Sequence, residues 1–246
     1  MTPREELANF YDSLKVRAPA NLAEYSDLVG PDLIWLDDEY LNSTPRIAIV
    51  GKEQKGWDYN YPEFISDWNV PDAIAAYREF DFGMNYYASP FWQFFHAVRL
   101  STFPNESDAR RKVLWTNLVK FVAADESSIL WKPYVEAALQ LQEDVLTTEL
   151  AIARPNICLF VTGPDYDFVL ERYFRGVQFE PLDLPVRQFA RLVHPSLPHH
   201  SFRTYHPNYL NHDRNARWDK VLQILSRELS WPNTALQGDA PQAARP

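Results

Sequence analysis

Arg46-Ile-Ala-Ile-Val50, preceded by Pro45 and ended by Gly51-Lys52-Glu53-Gln54, is a compact β-rich run of the kind that makes a buried strand and feeds a loop. Two more runs follow the pattern: Val113-Leu-Trp-Thr-Asn117, and Asn156-Ile-Cys-Leu-Phe-Val-Thr162 ended by Gly163-Pro164. A fourth, Ser201-Phe-Arg-Thr-Tyr205, runs into His206-Pro207. Helical spacing fills the intervals. It is seen at Leu7, Phe10, Tyr11 and Leu14, near 70–80, over 91–100 and over 165–174. A long amphipathic helix is expected over 133–153, stopped at Arg154-Pro155, and a closing helix over about 213–229. Residues 176–199 are Pro-rich and expected to be mostly loop. Strands alternating with helices predict a three-layer α/β/α fold with a central, mostly parallel sheet of about four strands. Residues 1–232 are expected to form a single domain, and the Pro/Ala/Gln-rich stretch 233–246 a disordered tail.

The 246 residues suffice for one sizeable core. The lone cysteine, Cys158, excludes a disulfide framework, a Cys-rich zinc site and an iron–sulfur cluster. No apolar stretch approaches the roughly 20 residues of a membrane span, and the charged start lacks the apolar core of a signal peptide. A cytoplasmic monomer without membrane contact is expected. The histidines at 194, 199, 200, 206 and 212 lack a paired helical spacing with an acidic partner, so no metal is expected, and the Gly-poor loop at Gly51 is neither a phosphate-cradling loop nor a dinucleotide fingerprint, so no organic cofactor is expected either. The net charge of −9 argues mildly against nucleic-acid binding. Its distribution is uneven, however. Residues 1–90 carry 16 acids and 7 bases, whereas 185–217 carry Arg187, Arg191, Arg203, Arg214 and Arg217 against only Asp213. One face can therefore be cationic.

In a parallel sheet, ligands sit beyond the carboxyl ends of the strands. Those ends here are Gly51-Lys-Glu53-Gln54, Thr116-Asn117, Thr162-Gly163-Pro164 and His206-Pro207-Asn208. A carboxylate, a carboxamide and an imidazole thus meet on one rim. That set suits cleavage of an N-glycosidic bond. Glu53 can offset positive charge growing on the sugar and orient a water, and His206 can donate to the departing base. Asn117 offers both a donor and an acceptor to a pyrimidine edge.

Gly51-Lys-Glu53-Gln-Lys-Gly56-Trp57 resembles motif one of the uracil-DNA glycosylase superfamily, of the form Gly-Gln-Asp/Glu-Pro. Thr204-Tyr-His-Pro-Asn-Tyr-Leu210 resembles its closing His-Pro-Ser motif. Ser89-Pro90-Phe91-Trp92 is similar to the Pro/Ser element, and Leu114-Trp-Thr-Asn117-Leu to the strand bearing the base-reading asparagine. The four motifs keep the family's order over about residues 45–229. The resemblance implies a monofunctional DNA glycosylase that works by base flipping. Glu53 would position the water, His206 would assist the leaving group, and Asn117, with Gln54, would bind the base. Phe82 would stack on the base, with Tyr86 and Tyr87 as alternatives. Tyr209 and Leu210 would form the wedge in the DNA. Ser89, Asn208, Arg203 and Arg214 would contact the DNA backbone. Asp58 and Lys52 are reserve candidates, and a Lys52 nucleophile would make the enzyme a lyase as well.

Lys52 and Gln54 depart from the Gln and Pro of motif one. Trp57 and Tyr59 are spaced differently from the tyrosine that excludes a thymine methyl. These departures leave the base open between uracil and a modified cytosine such as that of hypermodified phage DNA, and the role open between repair and antiviral defence. They also leave room for a non-catalytic nucleobase-binding module of the same fold, and the −9 charge for a small-molecule hydrolase. His194-Pro195-Ser196 spells the family tripeptide more literally than His206-Pro207-Asn208, but it precedes a Pro-rich loop and is read as a look-alike.

Overall fold

The computed structural model describes residues 1–18, 20–54, 61–66, 69–85, 89–106, 109–125, 127–210 and 216–229. The tail expected to be disordered lies outside them. The strands are β1 (Leu28–Val29), β2 (Ile47–Glu53), β3 (Val113–Val119), β4 (Val122–Ala123), β5 (Ile157–Phe160), β6 (Gln178–Pro181), β7 (Phe189–Val193) and β8 (His200–Thr204). The α-helices are α1 (Pro3–Arg17), α2 (Asp38–Leu41), α3 (Tyr61–Ser66), α4 (Val70–Glu79), α5 (Pro90–Thr102), α6 (Val135–Leu141), α7 (Val145–Ala153), α8 (Asp167–Tyr173), α9 (Pro207–Leu210) and α10 (Ala216–Glu228).

The main sheet has six strands in the order β3-β2-β5-β8-β7-β6. The first four run parallel, as the sequence pattern predicts. The other two overturn the count of about four strands. β7 runs antiparallel to β8, and β6 antiparallel to β7. Both lie in the segment expected to be loop, where proline density hides them. Pro181 fits because β6 is the edge strand, where a missing N–H costs little.

The parallel strands are level. Ile47 lies opposite Val113 and Ile157, and Ile157 opposite His200. Near the other end, Val50 lies opposite Thr116 and Phe160, and Phe160 opposite Arg203. Successive side chains of a strand point to opposite faces. Trp115 packs on Tyr77 of α4 and Trp92 of α5, whereas Thr116 bonds Glu149 of α7. Helices therefore cover both faces of β3.

The single helix expected over 133–153 is two helices. At the break, the buried Gln142 turns its side chain to the backbone. Its Oε1 accepts from Lys120 N–H at 2.5 Å, and its Nε2 donates to Ala138 O at 3.0 Å. The chain just past β3 is tied down a second way. β4 pairs antiparallel with β1. Beyond β1 the chain turns at Gly30, with φ of 114°, where a Cβ would lie 2.6 Å from Lys120 O. Asp32 N–H then donates to that same oxygen at 3.0 Å. This turn carries Asp32 to the carboxyl end of β3.

Under that end lies a buried ionic network. Lys120 Nζ donates to Glu149 Oε2 at 2.6 Å and also to Thr116 Oγ1. Thr116 Oγ1 donates to Glu149 Oε2 at 3.0 Å. Tyr11 of α1 donates to Glu149 Oε1 at 2.7 Å and accepts from Ile34 N–H at 3.1 Å. Burial, with Glu149 adding to it, holds the Tyr11 hydroxyl well above its ordinary value and so protonated. Both charged side chains of the pair are withdrawn from solvent, at 1% and 0% exposure. An ion pair this deep is costly to break on one side only. Lys120→Met is expected to lower the unfolding free energy by about 3–5 kcal/mol in urea titrations, and Lys120→Met with Glu149→Leu to recover part of the loss. Wild-type stability in the single variant would contradict this.

Candidate functional site

The level register decides what shares the rim. Glu53, Gly163 and His206 each lie three residues beyond the aligned rung Val50–Phe160–Arg203, and Asn117 faces Gly51 across the β2–β3 pair. Contacts run round the rim. A Cβ on Gly51 would lie 2.3 Å from Asn117 Oδ1 and 3.4 Å from a ring carbon of Phe91. The Phe91 ring stacks beside His206, with centroids 6.0 Å apart and planes 20° apart. Gly163 comes close to the His206 backbone, its Cβ position lying 3.8 Å from His206 N. Tyr166, just beyond Gly163, hydrogen-bonds Glu53.

Each polar group is held in one orientation. Ser128 Oγ donates to Glu53 Oε1 at 2.5 Å, and its 3.4 Å separation from the Tyr166 hydroxyl closes a three-membered set. Burial, then the Glu53 charge, push the Tyr166 hydroxyl up, so it stays a donor. Lys52 Nζ lies 5.9 Å from the Tyr166 ring centre. His206 Nδ1 accepts from Asn208 N–H at 3.3 Å, in the first turn of α9. In the neutral ring the proton then sits on Nε2, which makes that nitrogen a donor. Asn117 is also buried, at 2% exposure, with Nδ2 donating to Asp32 Oδ2 at 2.9 Å and Oδ1 left towards Gly51 and Phe91. The remaining oxygen of Asp32 is buried and has no hydrogen-bond partner among the described residues.

Several expectations for individual residues need correction. Phe82 is 1% exposed, and its ring packs on Tyr77 and Phe95 with the Arg111 guanidinium 4.8 Å away. It is a core residue, and the ring at the rim is Phe91. Gln54 is fully buried and its Nε2 donates to Val29 O at 3.0 Å, so it ties β2 to β1 instead of facing a ligand. Arg203 is 1% exposed and its guanidinium is used up in the fold. It donates to Arg187 O at 2.8 Å, Val186 O at 2.9 Å and Asp167 Oδ2 at 3.0 Å. Leu210 is 1% exposed beneath α9, whereas Tyr209 is 49% exposed against Tyr205. Of the two wedge candidates, Tyr209 alone is presented outward. Asn208 is exposed, and Ser89 stands half-buried at the start of α5 without capping it by its side chain. Arg214, His212, Tyr86, Tyr87, Trp57, Asp58 and Tyr59 lie outside the described residues.

The cationic face expected over 185–217 is largely neutralised where it is described. Arg187 pairs with Asp165, Arg191 with Glu228, and Arg203 with Asp167. His194 has the same local geometry as His206, its Nδ1 accepting from Ser196 N–H at 3.1 Å. It is nevertheless remote from the rim. It follows β7, whose antiparallel course delivers it to the opposite end of the sheet.

Sequence reasoning missed Asp32, Phe91, Ser128 and Tyr166. Phe91 carried a signal: it directly follows the Ser89-Pro90 that opens α5, one position before Trp92 and three before the inward Phe94. The other three reach the rim from distant segments and left none. Among the described residues, no three His, Cys, Asp or Glu side chains gather as a metal site, and no helix is long and apolar enough to cross a membrane. No family model matches the chain, and no relative was found among curated proteins.

Two outcomes follow from this geometry. Gly51→Ala drives a methyl into Asn117 Oδ1, and is expected to cut ligand binding or turnover at the rim by about tenfold or more while the fold persists. Unchanged function would mean that Asn117 is not engaged there. Asp32 supplies the second. Burial pushes its carboxyl up from 3.8 to about 7; Lys120 pulls it down, and Glu149 adds to the rise. A folded value above the ordinary one means the stabilising contribution is complete below the ordinary value and is lost as pH rises through the folded one. Wild-type protein is expected to lose stability between about pH 4 and pH 7 from this group, and Asp32→Asn to flatten that component in urea titrations. Parallel pH curves for the two proteins would contradict this.

Proposed function

We propose that the chain is a monofunctional DNA glycosylase with the three-layer arrangement of the uracil-DNA glycosylases, acting in the cytoplasm on uracil or a modified cytosine. The observation that carries this reading is the meeting of Glu53, Asn117 and His206 on one rim, with His206 poised by Asn208 as an Nε2–H donor.

The target nucleotide leaves the stack and its base enters beside Phe91, with Asn117 at its polar edge. As the bond from C1′ to the base nitrogen lengthens, electrons pass to the base and positive charge grows on the sugar. His206 Nε2–H hydrogen-bonds the base oxygen that gains charge. The Glu53 carboxylate, fixed by Ser128 and Tyr166, offsets the sugar charge and orients a water towards C1′. The water oxygen bonds C1′, its proton passes through Glu53 to solvent, and the base leaves as an anion that solvent protonates. The products are the free base and an abasic site. Tyr209, Ser89 and Asn208 would contact the DNA beside the extruded nucleotide. Repair and defence against phage with modified DNA are both compatible roles.

The paired state of Arg187, Arg191 and Arg203 favours a second reading, a hydrolase of a small nucleoside-like molecule. Salt separates the two, because a DNA substrate releases counterions and its affinity falls steeply with ionic strength. The test uses DNAs carrying uracil, hydroxymethylcytosine or glucosylated cytosine, with released bases identified by mass spectrometry. Glu53→Gln and His206→Ala are each expected to slow release by about 10²-fold or more while DNA binding persists. Full activity in both variants would remove the site assignment.

A further inference from the structure

Asn117 has two ways to place its amide, and the structure holds one of them. Its Nδ2 points at Asp32 Oδ2, 2.9 Å away, and its Oδ1 lies over Gly51 beside Phe91. Rotating the amide by half a turn would set Oδ1 against a carboxylate oxygen and lose the hydrogen bond. Asp32 is itself held in place. It is 3% exposed, its N–H is bound to Lys120 O, and the Gly30 turn behind it admits no side chain. The ionic pair of Lys120 with Glu149 lies beneath it. Among the described residues its second oxygen is buried without a partner, a cost that packing alone does not repay.

We propose that Asp32 is a positioning and specificity-determining residue: by holding Nδ2 it presents Asn117 Oδ1 as the acceptor at the rim, so the site selects a base whose edge offers an N–H there. The inference rests on the base-binding role of Asn117. A base with only acceptors or methyl groups at that edge meets an unsatisfied oxygen and is rejected. An amide free to turn would serve donors and acceptors alike.

The test uses intact protein and three small probes: 1-methyluracil, 1-methylcytosine and 1,3-dimethyluracil, the last lacking an N–H donor. Wild-type protein is expected to bind at least one of the first two about tenfold or more tighter than the third. Asp32→Leu is expected to collapse that ratio towards one, and Asp32→Asn, whose amide can pair with Asn117 in either orientation, to lower it part of the way. The side-chain amide protons of Asn117 give a second readout by nuclear magnetic resonance. One of them is expected to be shifted and slow to exchange in wild type and in Asp32→Asn, and ordinary in Asp32→Leu. Should Asp32→Leu fail to fold, the wild-type amide signature and the Asp32→Asn ratio still decide. Wild-type protein that binds none of the probes, binds the dimethyl compound equally well, or shows an ordinary Asn117 amide overturns the proposal. So does an unchanged ratio in Asp32→Leu. Selective probe binding without base release from any DNA would remove the glycosylase reading and leave Asp32 its role. Base release with an unchanged probe ratio would do the reverse.

Discussion

Parallel pairing in level register is the constraint from which the site follows. Ile47, Val113, Ile157 and His200 stand on one rung, so β3, β2, β5 and β8 start together, and β2 and β3 run on to Glu53 and Val119, past the ends of β5 and β8. Glu53 and Asn117 sit in those longer ends, beside the first loop residues after β5 and β8. Glu53, Asn117, Gly163 and His206 are neighbours for that reason, although more than 150 residues of chain separate the first from the last. A slip of one residue in any of these pairings would send Asn117 or its neighbours to the other face.

Holding that register at β3 places polar groups where water does not reach. Past Asn117 the chain is gripped by the Gln142 side chain and by the Gly30 turn, and Lys120 is driven into the interior. Glu149, Thr116 and Tyr11 answer its charge. Asp32 stands between this network and the rim, bonded to Asn117 on one side and drawn electrostatically to Lys120 on the other. The buried network and the rim are therefore joined through one carboxyl group. The opposite flank is simpler: Ser128 and Tyr166 brace Glu53, and the turn into α9 braces His206.

Much of this was legible in the sequence, for local reasons. Apolar, β-rich runs ended by Gly51, Asn117, Gly163 and His206 mark parallel strands and their carboxyl ends, and chemistry-bearing residues at those ends are candidates wherever the sheet is parallel. Strands β6 and β7 were not legible, because prolines mask an antiparallel extension whose edge tolerates them. Their direction also separates the two His-Pro tripeptides in space: His206 follows a parallel strand and His194 an antiparallel one. Arg203 and Leu210 look available in one dimension and are consumed by Asp167 and the core in three. Asp32, Ser128 and Tyr166 act through long-range contacts, which no local pattern encodes.

The proposed site asks acid, amide and imidazole to serve one extruded nucleobase. A crystal structure of the full chain with a DNA oligonucleotide whose target nucleotide carries a 2′-fluorine, which slows loss of the base, tests it directly. The base is expected out of the stack beside Phe91, its polar edge on Asn117, His206 Nε2 at its oxygen, and Glu53 facing C1′ from across the sugar. A base still stacked in the duplex, or one bound away from these three residues, would contradict it.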